Sequence, residues 1–314
     1  MPDVSTMKAA VIHNYGVVDD VVEVVDVPTP VLGPHDVLIE ARAAGVNPVD
    51  YLIVNGFQQR PLPRALGNEV AGVVRAVGPA VAGFTVGDEV FARVDPELGG
   101  AFAEQVAVGA SLVAVKPPEL SFEEAASLPL VALTALQALT EQAEVRPGQR
   151  VLIHGGAGGV GSAATQIAKS LGATVVTTAT GDGVELARSL GADQVIDYRA
   201  EDFVAVTGKV DVVLDTVGGD ARDRSFAVLK AGGTLVSIVG APEVPADQAG
   251  RGVQARGFFM RPSGDQLTVI ADLVTSGRLT ALVRSTFPLG RVVDALNQVE
   301  RGGARGKTVI RIAG

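Results

Sequence analysis

The strongest chemical signal in this chain is a glycine-rich run near its middle. In Val151-Leu152-Ile153-His154-Gly155-Gly156-Ala157-Gly158-Gly159-Val160-Gly161 an apolar stretch enters a turn and leaves as a helix, with Val160, Ala164, Ile167 and Ala168 on one helical face. Gly156, Gly158 and Gly161 fill the three places of G-x-G-x-x-G. The first permits the tight turn, the second lets backbone approach a pyrophosphate, and the third brings helix and strand together. The helix N-terminus then offers its free N–H groups and positive dipole end to phosphate. Strand, turn and helix stand in the required order, so a dinucleotide site is expected here. Ala157, Gly159 and Val160 belong to the same cradle.

Two other segments carry reactive side-chain types. Gly45-Val46-Asn47-Pro48-Val49-Asp50-Tyr51 places an amide, a carboxylate and a phenol within seven residues, directly after a strand. Its structural reading is an Asn-Pro turn whose Asp caps a short helix. The second segment is Leu66-Gly67-Asn68-Glu69-Val70-Ala71-Gly72, where Glu69 reads equally as a functional group or as a buried, paired structural carboxylate. A strand glycine such as Gly72 signals a bulge or a close backbone approach.

The elements that must position these groups divide into two halves. Up to about Lys116 the chain has short Val- and Ile-rich strands separated by Gly-Pro, Pro-x-Pro and Gly-Asp breaks, the pattern of a β-barrel-like domain. Ser121-Phe122-Glu123-Glu124 forms a capping box, and Pro129 must interrupt or restart the helix it opens. After the fingerprint, strands at Val175–Thr178, Gln194–Asp197, Val210–Asp215 and Thr234–Val239 alternate with helices, giving the α/β pattern of a doubly wound parallel sheet. Ligands of such sheets lie beyond the carboxyl ends of the strands. That places Thr178, Thr180, Val217, Val239 and Gly240 among the expected cofactor-binding residues. The tail, with helices near Gly264–Gly277 and Arg291–Glu300 and a strand at Arg305–Ile312, is expected to return and complete the first domain.

The residue about 20 beyond the fingerprint separates NAD from NADP, because an acid there bonds the ribose 2′-hydroxyl and repels a 2′-phosphate. Here the strand ends on Thr180, and Asp182 follows two residues later, where it serves equally as an N-cap. NADP(H) is therefore preferred over NAD(H).

Composition narrows the classes further. The 314 residues are 47% hydrophobic and 19% charged, enough apolar material for two folded domains. A net charge of −9 argues against nucleic acid and anionic membranes as partners. With no cysteine, thiolate catalysis and cysteine-ligated metal are excluded. The first six residues lack the basic and apolar regions of a signal peptide, and the apolar stretch Ala125–Leu139 is short and broken by Pro129, so a cytoplasmic protein is expected.

Taken in order, the barrel half, the fingerprint and the returning tail resemble the medium-chain dehydrogenase/reductase superfamily, and within it the zinc-independent quinone oxidoreductase-like branch. The signatures are Gly45–Asp50, Gly72-Val73-Val74, Val86-Gly87-Asp88-Glu89-Val90, Leu133-Thr134-Ala135, His154–Gly161, Gly191–Tyr198 and Gly306-Lys307. The resemblance implies a Rossmann sheet at about 128–264 and a GroES-like catalytic domain at 1–127, completed by about 265–314. Zinc-dependent relatives carry Cys at the position of Asn47 and Gly-His-Glu where this chain has Gly67-Asn68-Glu69, so no metal is expected. The three histidines, His13, His35 and His154, stand at none of the ligand positions, and His154 is expected to be a plain strand-end side chain.

The implied reaction is hydride transfer from NADPH to a quinone or an α,β-unsaturated carbonyl. By the resemblance Asn47 lines the nicotinamide and substrate cleft and bonds an acceptor carbonyl, and Thr134 contacts the nicotinamide side. Tyr51 is either the acid that protonates an enolate or a neutral phenol lining the pocket. Thr180 and Tyr198 fall near the adenosine 2′-phosphate, with Arg199 or Arg188 compensating for Asp182. Phe258, Phe259 and Met260 pass the nicotinamide end or form a subunit-pairing edge. Lys307 matches a lysine near the cofactor or snorkels at the surface. A homodimer is implied. The alternatives are a dedicated enoyl or enone reductase of a biosynthetic pathway and a non-enzymatic NADPH-binding redox sensor.

Overall fold

The computed structural model describes residues Ser5–Gly303 and Arg305–Ile312. The chain forms two compact units, one running to Leu130 and including Pro262–Gly277 and the segment from Ala281, the other comprising Val131–Arg261 and Arg278–Thr280.

The first unit is built on a seven-stranded sheet. Its order is Val283–Pro288, Lys307–Arg311, Asp36–Val46, Glu69–Val77, Glu89–Arg93 and Val113–Val115, and Gln105–Gly109 pairs with the first half of Asp36–Val46. A smaller three-stranded sheet joins Val22–Pro28, Thr6–Ile12 and Arg64–Ala65. The alternation of Val37, Ile39 and Ala41 with half-exposed neighbours sends one face of the long strand into a core shared with Val70, Val74, Val90 and Phe102. Where Gly72 lies against this strand a Cβ would overlap the Glu40 carbonyl, and the pairing shifts register between Ala41 and Ala43. Close approach and bulge thus occur together. The strand Val22–Pro28 is preceded by a helical turn, Val18–Val21.

In the second unit six strands run parallel in the order Gln194–Asp197, Thr174–Ala179, Arg150–Ile153, Val210–Asp215, Leu229–Ser237 and Gln254–Gly257. This is a doubly wound sheet whose order reverses beside the fingerprint strand. Its centre is aliphatic, with Leu152, Val176, Val213, Leu214 and Leu235 fully buried. The Ser121 capping box forms as expected: Glu124 N donates to Ser121 Oγ, and Ser121 N to the Glu124 carboxylate at 2.9 Å. Pro129 restarts the chain as the helix Pro129–Gln137, which ends in a π-turn at Ala138–Gln142. The strand Gln254–Gly257 was not signalled by its polar sequence.

Among the described residues no helix is long and apolar enough to cross a membrane.

Candidate active site

The fingerprint forms a loop and helix at the carboxyl end of Arg150–Ile153. Gly155, at φ 71°, makes the sharp turn assigned above to Gly156. Gly156 instead packs so closely that a Cβ would overlap Thr177, and a Cβ on Gly161 would overlap the Gly155 carbonyl. Gly158 differs. It is the N-cap of the helix Gly159–Ser170, and the nearest atom to an added Cβ, the Gly155 carbonyl oxygen, is 3.3 Å away. Gly156 and Gly161 therefore serve the fold, while Gly158 keeps one side open before a helix N-terminus, which fits a diphosphate. Ala157 is buried, and Gly159 and Val160 are half-buried in the first helical turn.

The other expected cofactor residues follow the ends of neighbouring strands. Thr180 and Tyr198 end adjacent strands, where Ala179 pairs with Asp197 and Tyr198 N donates to the Ala179 carbonyl. Tyr198 and Arg199 are exposed. Asp182 is the first residue of the helix Asp182–Ser189, whose N-cap is Gly181, so it is not the N-cap anticipated above. Val217, Val239 and Gly240 follow the strands ending at Asp215 and Ser237, and both valines are exposed. Phe258, Phe259 and Met260 follow the outermost strand, with Phe259 the most exposed of the three. Thr178, in contrast, is buried beneath the loop.

Asp215 was missed by sequence reasoning. Fully buried, it accepts from Val217 N at 3.0 Å, Gly218 N at 2.8 Å and Ser237 Oγ at 2.7 Å, holding two of these strand ends in register. An Asp before Gly-Gly at a strand end was the available signal.

The first unit holds a second constellation. Asn47 ends the long strand and is the N-cap of the helix Pro48–Val54, with Pro48 at its favoured first position. Asp50 caps it in return, accepting from Asn47 N at 2.7 Å. The Asn47 amide is bonded at both ends: Nδ2 donates to Glu69 Oε1 at 2.6 Å, and Oδ1 accepts from Lys307 Nζ. The lysine also donates to Glu69 Oε1 at 2.8 Å and to the Val46 carbonyl at 2.9 Å, so its three N–H donors are committed. Glu69 Oε2 accepts from Leu130 N at 2.7 Å. Gly45 makes room for this, since a Cβ there would overlap the Glu69 carboxylate. Lys307 is 6% exposed, so it does not snorkel at the surface, and its ammonium is spent on this network.

Asn68 continues the network, donating to Asp50 Oδ1 at 2.5 Å and accepting from the buried Arg93 Nη1 at 3.2 Å. Burial pushes the Asp50 carboxyl up to about 6, against the opposing hydrogen bonds from Asn68 and Asn47 and the Lys307 charge. Tyr51 is half-buried on the same short helix, and Thr134 is buried on the helix Pro129–Gln137 of the other unit.

These residues do not fit a catalytic zinc. Amides replace the two ligand positions, both amides are hydrogen-bonded to neighbours, and an ammonium sits against the remaining carboxylate. Among the described residues no group of three or more His, Cys, Asp or Glu could hold a metal ion.

Known proteins match the chain over nearly its whole length. The family model described as "Alcohol dehydrogenase GroES-like domain" matches residues 33–118, and that described as "Zinc-binding dehydrogenase" matches 190–310, a segment here without His or Cys. The 2-methylene-furan-3-one reductase of Solanum lycopersicum is 39% identical over 319 residues, covering 98% of this chain and 79% of the relative. The NADPH-dependent alkenal/one oxidoreductase of Arabidopsis thaliana is 38% identical, covering 97% and 79%. The solved quinone oxidoreductase of Coxiella burnetii superposes with a TM-score of 0.90 at 36% identity, covering 98% of this chain and all of that one.

This chain belongs to the quinone oxidoreductase-like medium-chain dehydrogenases/reductases. It is a zinc-independent, NAD(P)H-dependent oxidoreductase related to the quinone- and enone-reducing members.

Proposed function

We propose that this oxidoreductase uses NADPH to reduce quinones or α,β-unsaturated carbonyls in the cytoplasm. The observation that carries the proposal is the Lys307 ammonium held against Glu69 and Asn47. A site built this way offers no Lewis acid to polarise an alcohol or a plain carbonyl, so the acceptor must already be electrophilic. When bound, the nicotinamide supplies the hydride. The chain's own part is to bind, to orient and to stabilise developing charge.

The open side of Gly158 and the helix behind it would take the diphosphate. Thr180 and Tyr198, adjacent at two strand ends with Arg199 next in sequence, support a 2′-phosphate. Asp182 sits one turn away at a helix start, where it opposes that charge. Val217, Val239, Gly240 and Phe258–Met260 would line the remainder. With its amide bonded at both ends, Asn47 is proposed as a buried strut that fixes the helix bearing Tyr51. Tyr51 and Thr134 are proposed as the side chains that meet the acceptor and the nicotinamide. The outer strand Gln254–Gly257 pairs only with Leu229–Ser237 among the described residues, which supports a homodimer formed along that edge.

The test is oxidation of NADPH and NADH against 1,4-benzoquinone, 9,10-phenanthrenequinone, an enal and a cyclic enone, with and without chelator. Chelator-insensitive turnover that prefers NADPH is expected. Tight NADPH binding without consumption by any acceptor would overturn the enzymatic reading in favour of a sensor, and activity on a single activated acyl substrate would favour a dedicated enoyl reductase.

A further inference from the structure

His154 is the residue whose surroundings differ most from expectation. It is 2% exposed, its ring meets Phe203 edge-on with centroids 4.9 Å apart, and both ring nitrogens are hydrogen-bonded. Nε2 lies 2.8 Å from Ser225 Oγ and Nδ1 lies 3.2 Å from Thr178 Oγ1. The Ser225 hydroxyl gives its single proton to the Ala221 carbonyl at 2.6 Å, so toward His154 it can only accept. Nε2 therefore carries the ring proton and Nδ1 is bare. The Thr178 hydroxyl donates to Nδ1, which turns a lone pair of the same oxygen toward Gly155 N at 3.1 Å. Gly155 in turn gives its carbonyl to Gly158 N at 2.9 Å. An ordered chain of donors and acceptors thus runs from the helix Gly219–Ser225 through His154 and Thr178 to the two glycines that shape the phosphate loop.

We infer that His154 is a positioning residue for the dinucleotide: as the neutral Nε2–H tautomer it orients the Thr178 hydroxyl, which fixes the Gly155 peptide and, through the Gly155 carbonyl, holds Gly158 in place with its open side before the helix N-terminus. It touches no reacting atom, so it acts on cofactor affinity and not on the hydride step. Neutrality is enforced by burial, which holds the imidazole near 4 against the opposing charge of Asp215. Arg224 lies over the ring of Phe203, its guanidinium carbon 5.3 Å from the ring centroid.

The experiment uses the full chain with NADPH. His154→Phe keeps the ring and its edge contact but removes both nitrogens, Thr178→Val removes the hydroxyl, and Thr178→Ser restores it. His154→Phe and Thr178→Val are each expected to weaken NADPH binding by about ten-fold, the size of one lost hydrogen bond. The kcat at saturating cofactor and the KM for acceptor should stay within about two-fold, a tolerance smaller than one such bond. The double variant should be little worse than either single one, and Thr178→Ser should bind as wild type does. Unchanged NADPH affinity in His154→Phe, or a fall in kcat with affinity intact, overturns the inference. Should the variants fail to fold, the 15N–1H spectrum of the wild-type histidines decides: the Nε2–H tautomer is expected for His154 at neutral pH, and an Nδ1–H tautomer overturns the assignment.

Discussion

Lys307 Nζ lies 2.8 Å from Glu69 Oε1, and the strands that carry them flank the strand Asp36–Val46, which leads into Asn47, on either side. The long strand's last carbonyl, at Val46, and the Asn47 amide complete the contact, so three strands meet at one buried ion pair. Replacing one partner leaves the other charge buried and uncompensated. Lys307→Met is therefore expected to cost about 3–5 kcal/mol of stability, whereas Lys307→Met combined with Glu69→Gln should recover much of that loss. Urea unfolding of the two variants beside wild type checks this. Equal stability of the single and double variants would show that the ion pair does not couple the strands.

The fingerprint glycines separate by what surrounds each one. Gly161→Ala must displace the Gly155 backbone and Gly156→Ala must displace Thr177, so both should lower the melting temperature and abolish cofactor binding together. Gly158→Ala meets only the Gly155 carbonyl oxygen, at 3.3 Å, and is expected to lower the melting temperature less than the other two while losing NADPH affinity, because the added methyl occupies the approach of the diphosphate. Thermal melts with and without NADPH read both quantities.

Two buried groups give opposite pH dependences. His154 falls from 6.5 to about 4 on folding, so the unfolded chain binds its proton first. Its contribution is complete above pH 6.5 and is lost as pH falls toward 4, about 2 kcal/mol by pH 5. Asp50 rises from 3.8 to about 6, so its contribution is complete below 3.8 and is lost as pH rises through 6. The two windows overlap between about pH 4 and 6, where the slopes oppose one another, so His154→Phe should leave stability falling as pH rises through that range and Asp50→Asn should leave it rising. Unfolding free energies measured from about pH 4 to 8 would show the two variants diverge with opposite slopes; parallel profiles would assign the pH response elsewhere.

Tyr51 is predicted to matter more for alkenes than for quinones. Reduction of an enone must deliver a proton to the enolate, while the reduced quinone takes its protons on oxygens accessible to water. Tyr51→Phe should lower kcat for an enone by about 100-fold and leave quinone turnover within a few-fold. Equal losses with both acceptors would assign Tyr51 to lining the pocket.

Much of this molecule was legible in the chain because its signals are local. A strand, turn and helix in sequence order can be read from apolar periodicity and glycine spacing, and the parallel sheet follows from the alternation after Gly161. The Ser121 cap and the restart at Pro129 rest on contacts within a few residues. The tertiary structure decided what depends on partners far along the chain. Glu69 and Lys307 are 238 residues apart, and His154 and Ser225 are 71 apart. No window of sequence shows that such side chains are buried against one another, so the sequence left Glu69 open, put Lys307 at the cofactor or the surface, and took His154 for a plain strand end. The roles of the glycines were divided in the same way. The motif supplied their spacing, but whether a Cβ would overlap Thr177, overlap the Gly155 carbonyl or only touch it depends on the strand and loop folded beside each one.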